Sequence, residues 1–122
     1  MRRADHALQL LLDLDGLNYV YEGGYWIKYD VRAVAISPDW PHGIKYSLTL
    51  HDRHGNRIFG IDNAHLPTAR GGPSRKSTRP KAADHVHRGG QIHRYDFMDA
   101  KTLLADFDKG VVATLKRRGV KL

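Results

Sequence analysis

Alternating apolar and polar positions predict β-strands through the first half of the chain. Residues 44–51, IKYSLTLH, alternate most cleanly, and residues 25–36, YWIKYDVRAVAI, follow the same period of two. After the tight connection DRHG, the stretch 56–62, NRIFGID, is predicted to return as the second strand of a hairpin. Because a period of two places successive side chains on opposite faces, these segments are expected to form the half-buried middle of an antiparallel sheet.

Shorter segments add to this sheet. Residues 17–21 fit a brief strand, whereas the apolar run 7–12, ALQLLL, is too short to distinguish a helix from a strand. HVH at 85–87 and QIHRYDF at 91–97 fit two short strands that flank the turn RGG.

The last part of the chain has helical periodicity. Asp99 is a predicted N-cap for residues 100–118. The apolar stripe of this helix consists of Leu103, Leu104, Phe107, Val111 and Leu115. Gly110 lies inside the helix and is expected to loosen it locally. The pattern therefore predicts an α+β fold, a small curved antiparallel β-sheet with an amphipathic C-terminal helix packed on one face, in a single domain spanning residues 1–122.

Composition narrows the class of protein. The chain has 122 residues, a formal net charge of +7 and no cysteine, which excludes disulfides and thiolate metal sites. Its N-terminus, MRRADHALQLLLDLDG, superficially resembles a signal peptide, but acidic residues interrupt the apolar patch and no small-residue cleavage site follows. No apolar run approaches the ~20 residues that span a bilayer. We expect a soluble, cytoplasmic protein that does not bind membranes.

Basic charge is concentrated in one linker-like stretch. Residues 66–83, LPTARGGPSRKSTRPKAA, contain no acid and almost nothing apolar, which predicts a flexible basic loop. The candidate nucleic-acid-binding residues in this loop are Arg70, Arg75, Lys76, Arg79 and Lys81. Such a segment suits contact with RNA, DNA or an acidic protein. The alternative is a solvated loop without a partner.

Histidines gather at both ends of this loop. FGIDNAH at 59–65 and DHVHRGGQIHRYDF at 84–97 contain His65, His85, His87 and His93. If HVH is extended, both of its imidazoles lie on one face while Val86 points to the other. Two histidines so placed could bind a divalent metal, with third and fourth ligands from His65, His93, Asp62 or Asp84.

The same side chains also suit acid–base chemistry on RNA without a metal cofactor. Cleavage by 2′-hydroxyl attack needs a base, an acid and a cation near the phosphorane, roles that histidine and arginine can fill. The candidate catalytic residues are His85, His87, His93, Arg88, Arg94, Tyr95, Asp62 and His65. A third interpretation is a polar sheet face without chemistry.

The motifs together resemble those of the TumE-like toxins of type II toxin–antitoxin modules. They are IDNAH at 61–65, DHVHR at 84–88, HRYDF at 93–97 and TLLADF at 102–107, and the resemblance covers roughly residues 26–115. It implies a growth-inhibiting toxin that a helix-turn-helix antitoxin, usually encoded beside it, binds and neutralises. The chain departs from the family pattern in its longer, more basic loop and its additional N-terminal segment.

Three functional hypotheses follow. The first is an RNA-directed toxin that acts as a metal-independent ribonuclease and is neutralised by an antitoxin covering the histidine face. The second is a metal-dependent nuclease or nucleotide-processing enzyme using His85 and His87. The third is a non-enzymatic module that binds nucleic acid or protein. Expected partners are RNA and the antitoxin, and a homodimer is an open alternative.

Overall fold

The computed structural model describes residues 3–63 and 84–122. Within these residues the chain forms two α-helices, six β-strands and a 3₁₀ turn. They are α1 (Arg3–Asp13), β1 (Asn18–Val20), the 3₁₀ turn (Glu22–Gly24), β2 (Trp26–Ala33), β3 (Ile44–His51), β4 (Arg57–Asp62), β5 (His85–Arg88), β6 (Gln91–Arg94) and α2 (Ala100–Arg117). The ambiguous segment 7–12 is therefore helical. The predicted loop 66–83 lies outside the described residues.

The described strands form one open antiparallel sheet in the order β1-β2-β3-β4-β5-β6. Ile27 pairs with Leu50, and Leu50 pairs with Phe59, so that paired positions carry one apolar face across the sheet. Helix α2 packs on this face through Leu103, Phe107, Val111 and Leu115. Because the helix buries the apolar side of the alternating strands, the α+β prediction is confirmed.

Helix α2 begins at the predicted cap. Asp99 has an extended backbone, and its side chain accepts a hydrogen bond of 2.7 Å from the backbone N–H of Thr102. The helix continues unbroken through Gly110. A Cβ atom at this position would lie 1.9 Å from Cζ of Phe59. The glycine therefore permits a close approach between α2 and the sheet.

A bulge in β4 changes which face its first residue occupies. Leu50 pairs with Phe59, but His51 pairs with Arg57, so Ile58 is the extra residue. Without the bulge, Arg57 would share the apolar face with Phe59. With it, Arg57 points to the opposite face, because bulges re-aim the side chains that precede or follow them.

Asn63 fixes the end of β4 to the start of β3. Its side-chain oxygen accepts a hydrogen bond of 2.9 Å from the backbone N–H of Tyr46, and its Nδ2 donates one of 2.8 Å to the carbonyl of Ile44. Both bonds are buried. The motif DNAH thus uses its asparagine to join two strands, whereas an Asx turn would have served only the local chain.

Neither of the helices in the described part of the chain has the length and apolar character needed to cross a membrane.

Candidate functional site

Four ionisable side chains meet on the sheet face opposite α2. We call Arg57, Asp62, His85 and His87 the polar cluster. Asp62 pairs with His85 across β4 and β5, and the next position on the same face pairs Gly60 with His87. The prediction that the two imidazoles of HVH share one face is confirmed, since their ring centroids are 6.2 Å apart while Val86 joins the apolar core.

The carboxylate of Asp62 lies between the two histidines. Its Oδ2 is 2.8 Å from Nε2 of His87, and its Oδ1 is 3.6 Å from Nδ1 of His85. Nη1 of Arg57 lies 3.9 Å from Oδ2 and is within range of ionic attraction. One carboxylate therefore faces two imidazoles and one guanidinium.

Asp62 fixes the tautomer of His87. A carboxylate can only accept a hydrogen bond, so Nε2 of His87 must carry a proton and Nδ1 is left as the acceptor of the neutral ring. Burial lowers the pKa of His87 from its ordinary value of 6.5, and this outweighs the opposing effect of Asp62; Arg57 and His85 also lower it. His87 is accordingly a neutral imidazole at pH 7, the form that a general base requires.

His85 is the less satisfied member of the pair. Its Nδ1 is buried and, among the described residues, has no hydrogen-bond partner, because the carboxylate of Asp62 lies slightly too far away. Buried unsatisfied polar atoms are uncommon in native proteins, and a catalytic role is one of the explanations for them. His85 and His87 are only 5% and 6% exposed, so both rings work in a partly dehydrated environment.

Gly60 gives the polar cluster its space. A Cβ atom on Gly60 would approach Cγ2 of Thr49 to 3.1 Å, the carbonyl of Leu48 to 3.1 Å and Cδ of Arg57 to 3.4 Å. Its backbone is not in the positive-φ region. A side chain here would therefore compete with Arg57 for the room beside His87.

The structure separates two of the other predicted catalytic residues, His93 and Arg88, from this cluster. His93 pairs with Val86 and so lies on the face of α2, where its Nε2 is 3.2 Å from Oε1 of Gln91. Arg88 is on the same side, with its guanidinium 5.4 Å from the ring centre of Phe59. The expected convergence of His93 and Arg88 with His85 and His87 is therefore not observed.

Tyr95 and Arg94 occupy the margin of the sheet. The hydroxyl of Tyr95 donates a hydrogen bond of 2.7 Å to Asp106 on α2. Burial is the largest cause that raises the pKa of Tyr95, and the hydrogen bond to Asp106 and the charge of that residue raise it further. This tyrosine braces the helix against the sheet. Arg94 pairs with His85 and shares its face, but its side chain is 84% exposed and lies 3.2 Å from Asp96.

Several predicted residues lie outside the described residues. They are His65 and the proposed nucleic-acid-binding set Arg70, Arg75, Lys76, Arg79 and Lys81.

Asp84, considered above as a metal ligand, belongs to a different cluster. It accepts a hydrogen bond of 2.5 Å from the hydroxyl of Tyr46 and lies 3.2 Å from Nε2 of His42, whose ring stacks on Phe97. Burial and the neighbouring Asp84 raise the pKa of Tyr46, which keeps its hydroxyl a donor. No group of three His, Cys, Asp or Glu side chains in residues 3–63 and 84–122 is arranged to hold a metal ion.

Sequence reasoning missed two residues: Arg57 of the polar cluster and His42 of the Asp84 cluster. Arg57 was overlooked because strict alternation assigns it to the apolar face, and only the bulge at Ile58 brings it to the polar cluster. His42 lies in the loop SPDWPHG, where no pattern connects it to Asp84 some forty residues later. The signal that could have found Arg57 is the glycine at position 60, since glycine in a strand often marks close approach of a neighbouring group.

The fold and the polar cluster define the class of protein: a small α+β domain with a His–Asp–His site on one face of an antiparallel sheet. The family model for toxin TumE matches residues 19–115. The chain therefore belongs to the TumE toxin family, which assigns it a toxin role and implies an antitoxin partner, and the resemblance predicted from its motifs is confirmed. No curated protein and no solved structure gives a significant match.

Proposed function

We propose that this toxin acts on RNA as a metal-independent ribonuclease whose site is the polar cluster. The observation that carries the proposal is the position of Asp62 between His85 and His87, 2.8 Å from one imidazole and 3.6 Å from the other. Two histidines can supply the proton donor and the proton acceptor of such a reaction, and the carboxylate between them can orient a ring.

In the proposed reaction, Nδ1 of neutral His87 takes the proton of a ribose 2′-hydroxyl. The 2′-oxygen forms a bond to phosphorus, and the bond from phosphorus to the 5′-oxygen of the next nucleotide breaks. His85 acts as the acid and donates a proton through Nε2 to this leaving oxygen, and the product carries a 2′,3′-cyclic phosphate. Asp62 holds His87 in the required tautomer and stabilises the imidazolium that forms.

Cationic groups near the cluster would bind the phosphate. The side chain of Arg57 is 41% exposed, so that its guanidinium can contact both Asp62 and a substrate oxygen. Arg94 pairs with His85 at the exposed edge of the sheet, and its solvent-exposed side chain is a second candidate contact. The formal net charge of +7 favours a polyanionic substrate, and we propose that the basic residues of 66–83 add to its binding.

A second candidate is a toxin that binds its target without chemistry. The observation that favours it is the burial of both imidazoles, since a satisfied His–Asp pair under little solvent is also what a structural network looks like. In that case the polar cluster stabilises the sheet, and growth inhibition depends on another surface.

The decisive experiment compares His85→Ala, His87→Ala and His87→Gln with His54→Ala, a change of an exposed turn histidine. Growth arrest on induced expression and cleavage of labelled RNA by the purified chain are measured, with circular dichroism to confirm folding. The proposal expects cleavage to fall about 10²- to 10⁴-fold in the three cluster variants and to be unchanged in His54→Ala. Folded His85→Ala and His87→Ala variants that still arrest growth would remove the catalytic role.

Chelation of divalent metal ions distinguishes the metal-independent ribonuclease from the metal-dependent alternative. The ribonuclease proposal expects RNA cleavage to survive EDTA, with 2′,3′-cyclic phosphate ends on the products. Loss of cleavage in EDTA and its return with zinc or manganese would favour a metal-dependent nuclease or nucleotide-processing enzyme at His85 and His87.

The antitoxin is proposed to be a helix-turn-helix protein encoded beside the toxin gene, and co-purification of the toxin with that gene product tests this.

A further inference from the structure

A groove lies between α2 and the β5–β6 end of the sheet, on the face opposite the polar cluster. Its volume is about 480 Å³, within the range of ligand-binding clefts. It is lined by Phe59, Ile61, Val86, Arg88, Arg94, Tyr95, Asp106, Lys109, Gly110 and Ala113. The groove therefore combines an apolar floor from β4 and β5 with polar and charged side chains at its rim.

The charge at the rim is mainly positive. The guanidinium of Arg88 lies over the ring of Phe59, and among the described residues no acid lies within ion-pair distance of Arg88 or Lys109. Asp106 is the acid of the lining, and its carboxylate accepts the hydroxyl of Tyr95. An incoming acidic group thus meets two cations, Arg88 and Lys109, that have no acidic partner among the described residues.

We propose that this groove binds an acidic segment of the antitoxin, with an apolar side chain on the floor and carboxylates at Arg88 and Lys109. The proposal rests on membership of the toxin family and its antitoxin partner, and it is independent of the ribonuclease mechanism. Charge complementarity selects the occupant, since a segment with acids on either side of an apolar residue satisfies both the rim and the floor.

The apolar floor argues against RNA in this groove. Phosphates could reach the rim, but Ile61, Val86 and Ala113 offer no hydrogen-bonding side-chain atom to a ribose or a base edge. The neighbouring strand β6 adds a feature suited to a peptide: in the part of the chain that the structure describes, it pairs only with β5. An extended segment could continue along this edge.

This placement differs from an antitoxin that covers the histidines. The floor residue Val86 lies between His85 and His87 on β5 and points away from both. Antitoxin bound in the groove would therefore contact the strand that carries the polar cluster from its opposite side. Its binding determinants and the catalytic residues are then separable by mutation.

The test uses the full chain co-expressed with the product of the gene beside the toxin gene. Lys109→Glu reverses a rim charge, and Ala113→Trp fills the groove from an exposed position on α2. Their matched controls are Lys101→Glu and Ala105→Trp, at exposed positions of the same helix that do not line the groove. Binding is measured by titration calorimetry at fixed salt, and growth arrest by induced expression.

We expect Kd to rise at least about tenfold in each groove variant and to stay within about twofold in the controls. Growth arrest by the groove variants is expected to persist and to resist rescue by the gene product. Equal affinity in all four variants would overturn the proposal, as would failure of the gene product to bind the wild-type chain. A wild-type dimer that Ala113→Trp dissolves, or RNA binding that Lys109→Glu and Ala113→Trp both abolish, would assign the groove to a second copy or to RNA instead.

Discussion

Replacing Gly110 with alanine should destabilise the protein, although alanine is the better helix former. A Cβ atom at this position would lie 1.9, 2.4 and 2.6 Å from three ring atoms of Phe59, against the roughly 3.5–4.0 Å of ordinary carbon contacts. Phe59 is almost completely buried and stacks against Phe107, with ring centroids 5.8 Å apart. Admitting the methyl group therefore requires either the Phe59 ring to leave its stacking on Phe107 or α2 to move away from the sheet.

The magnitude follows from two opposing effects. Alanine gains about 1 kcal/mol over glycine inside a helix, while overpacking a tight core typically costs about 1–3 kcal/mol. The contact at Gly110 is backbone against a confined aromatic ring, which places the cost at the upper end of that range. We expect the free energy of unfolding to fall by about 2 kcal/mol.

Urea denaturation followed by tryptophan fluorescence and circular dichroism measures this change, with coincident transitions as the check on two-state unfolding. Gly90→Ala is the matched control, because an added Cβ at Gly90 meets no described atom within 4 Å. Phe59→Leu should recover part of the loss in the Gly110→Ala background. A Gly110→Ala protein as stable as wild type or more so would refute the close packing of α2 on β4.

Three further predictions concern single side chains. Asn63→Ala should lower the free energy of unfolding by about 2–4 kcal/mol, because two buried backbone groups lose their partners; the same change at the exposed Asn56 should cost far less. Asp99→Ala should lower the free energy of unfolding by about 1 kcal/mol, because α2 loses its N-cap hydrogen bond, and urea denaturation measures this change. Asp99→Ser should retain most of the stability of the wild-type chain, because serine is also a good N-cap. The pKa of His87 in the folded chain is below its ordinary value of 6.5, so as pH falls the unfolded chain takes up a proton at this histidine before the folded chain does. The free energy of unfolding should therefore decline as pH falls from 6.5 through the pKa of His87 in the folded chain. His87→Gln should remove this part of the pH dependence, and an identical pH profile in the variant would contradict it.

Periodicity predicted the sheet because burial follows it along β2 and the first part of β3, although β4 is buried on both faces. Ile44–His51 was predicted as a strand with the bounds that the structure gives, and its apolar positions all belong to the buried core. The role of Asp99 as the N-cap of α2 was also predictable, since an N-cap depends on the residue type and the few residues after it. In these cases the local pattern and the tertiary environment favour the same structure.

The candidate site could be predicted only in part. HVH revealed the shared face of His85 and His87, because strand alternation within three residues requires no knowledge of the partner strands. The same reasoning could not exclude His93, since the face it occupies depends on its pairing with Val86 across the RGG turn. Nor could it include Arg57, whose position depends on a bulge that alternation does not foresee.

Strand β5 links the two surfaces that the proposals concern. His85 and His87 point to the polar cluster, while Val86 and Arg88 point to the groove beneath α2. Because Val86 lies between the two histidines on one backbone, a ligand that shifts the β5 backbone at Val86 would also shift the imidazoles beside it. An antitoxin in the groove could therefore disturb the distance of 2.8 Å between His87 and Asp62 without touching either residue.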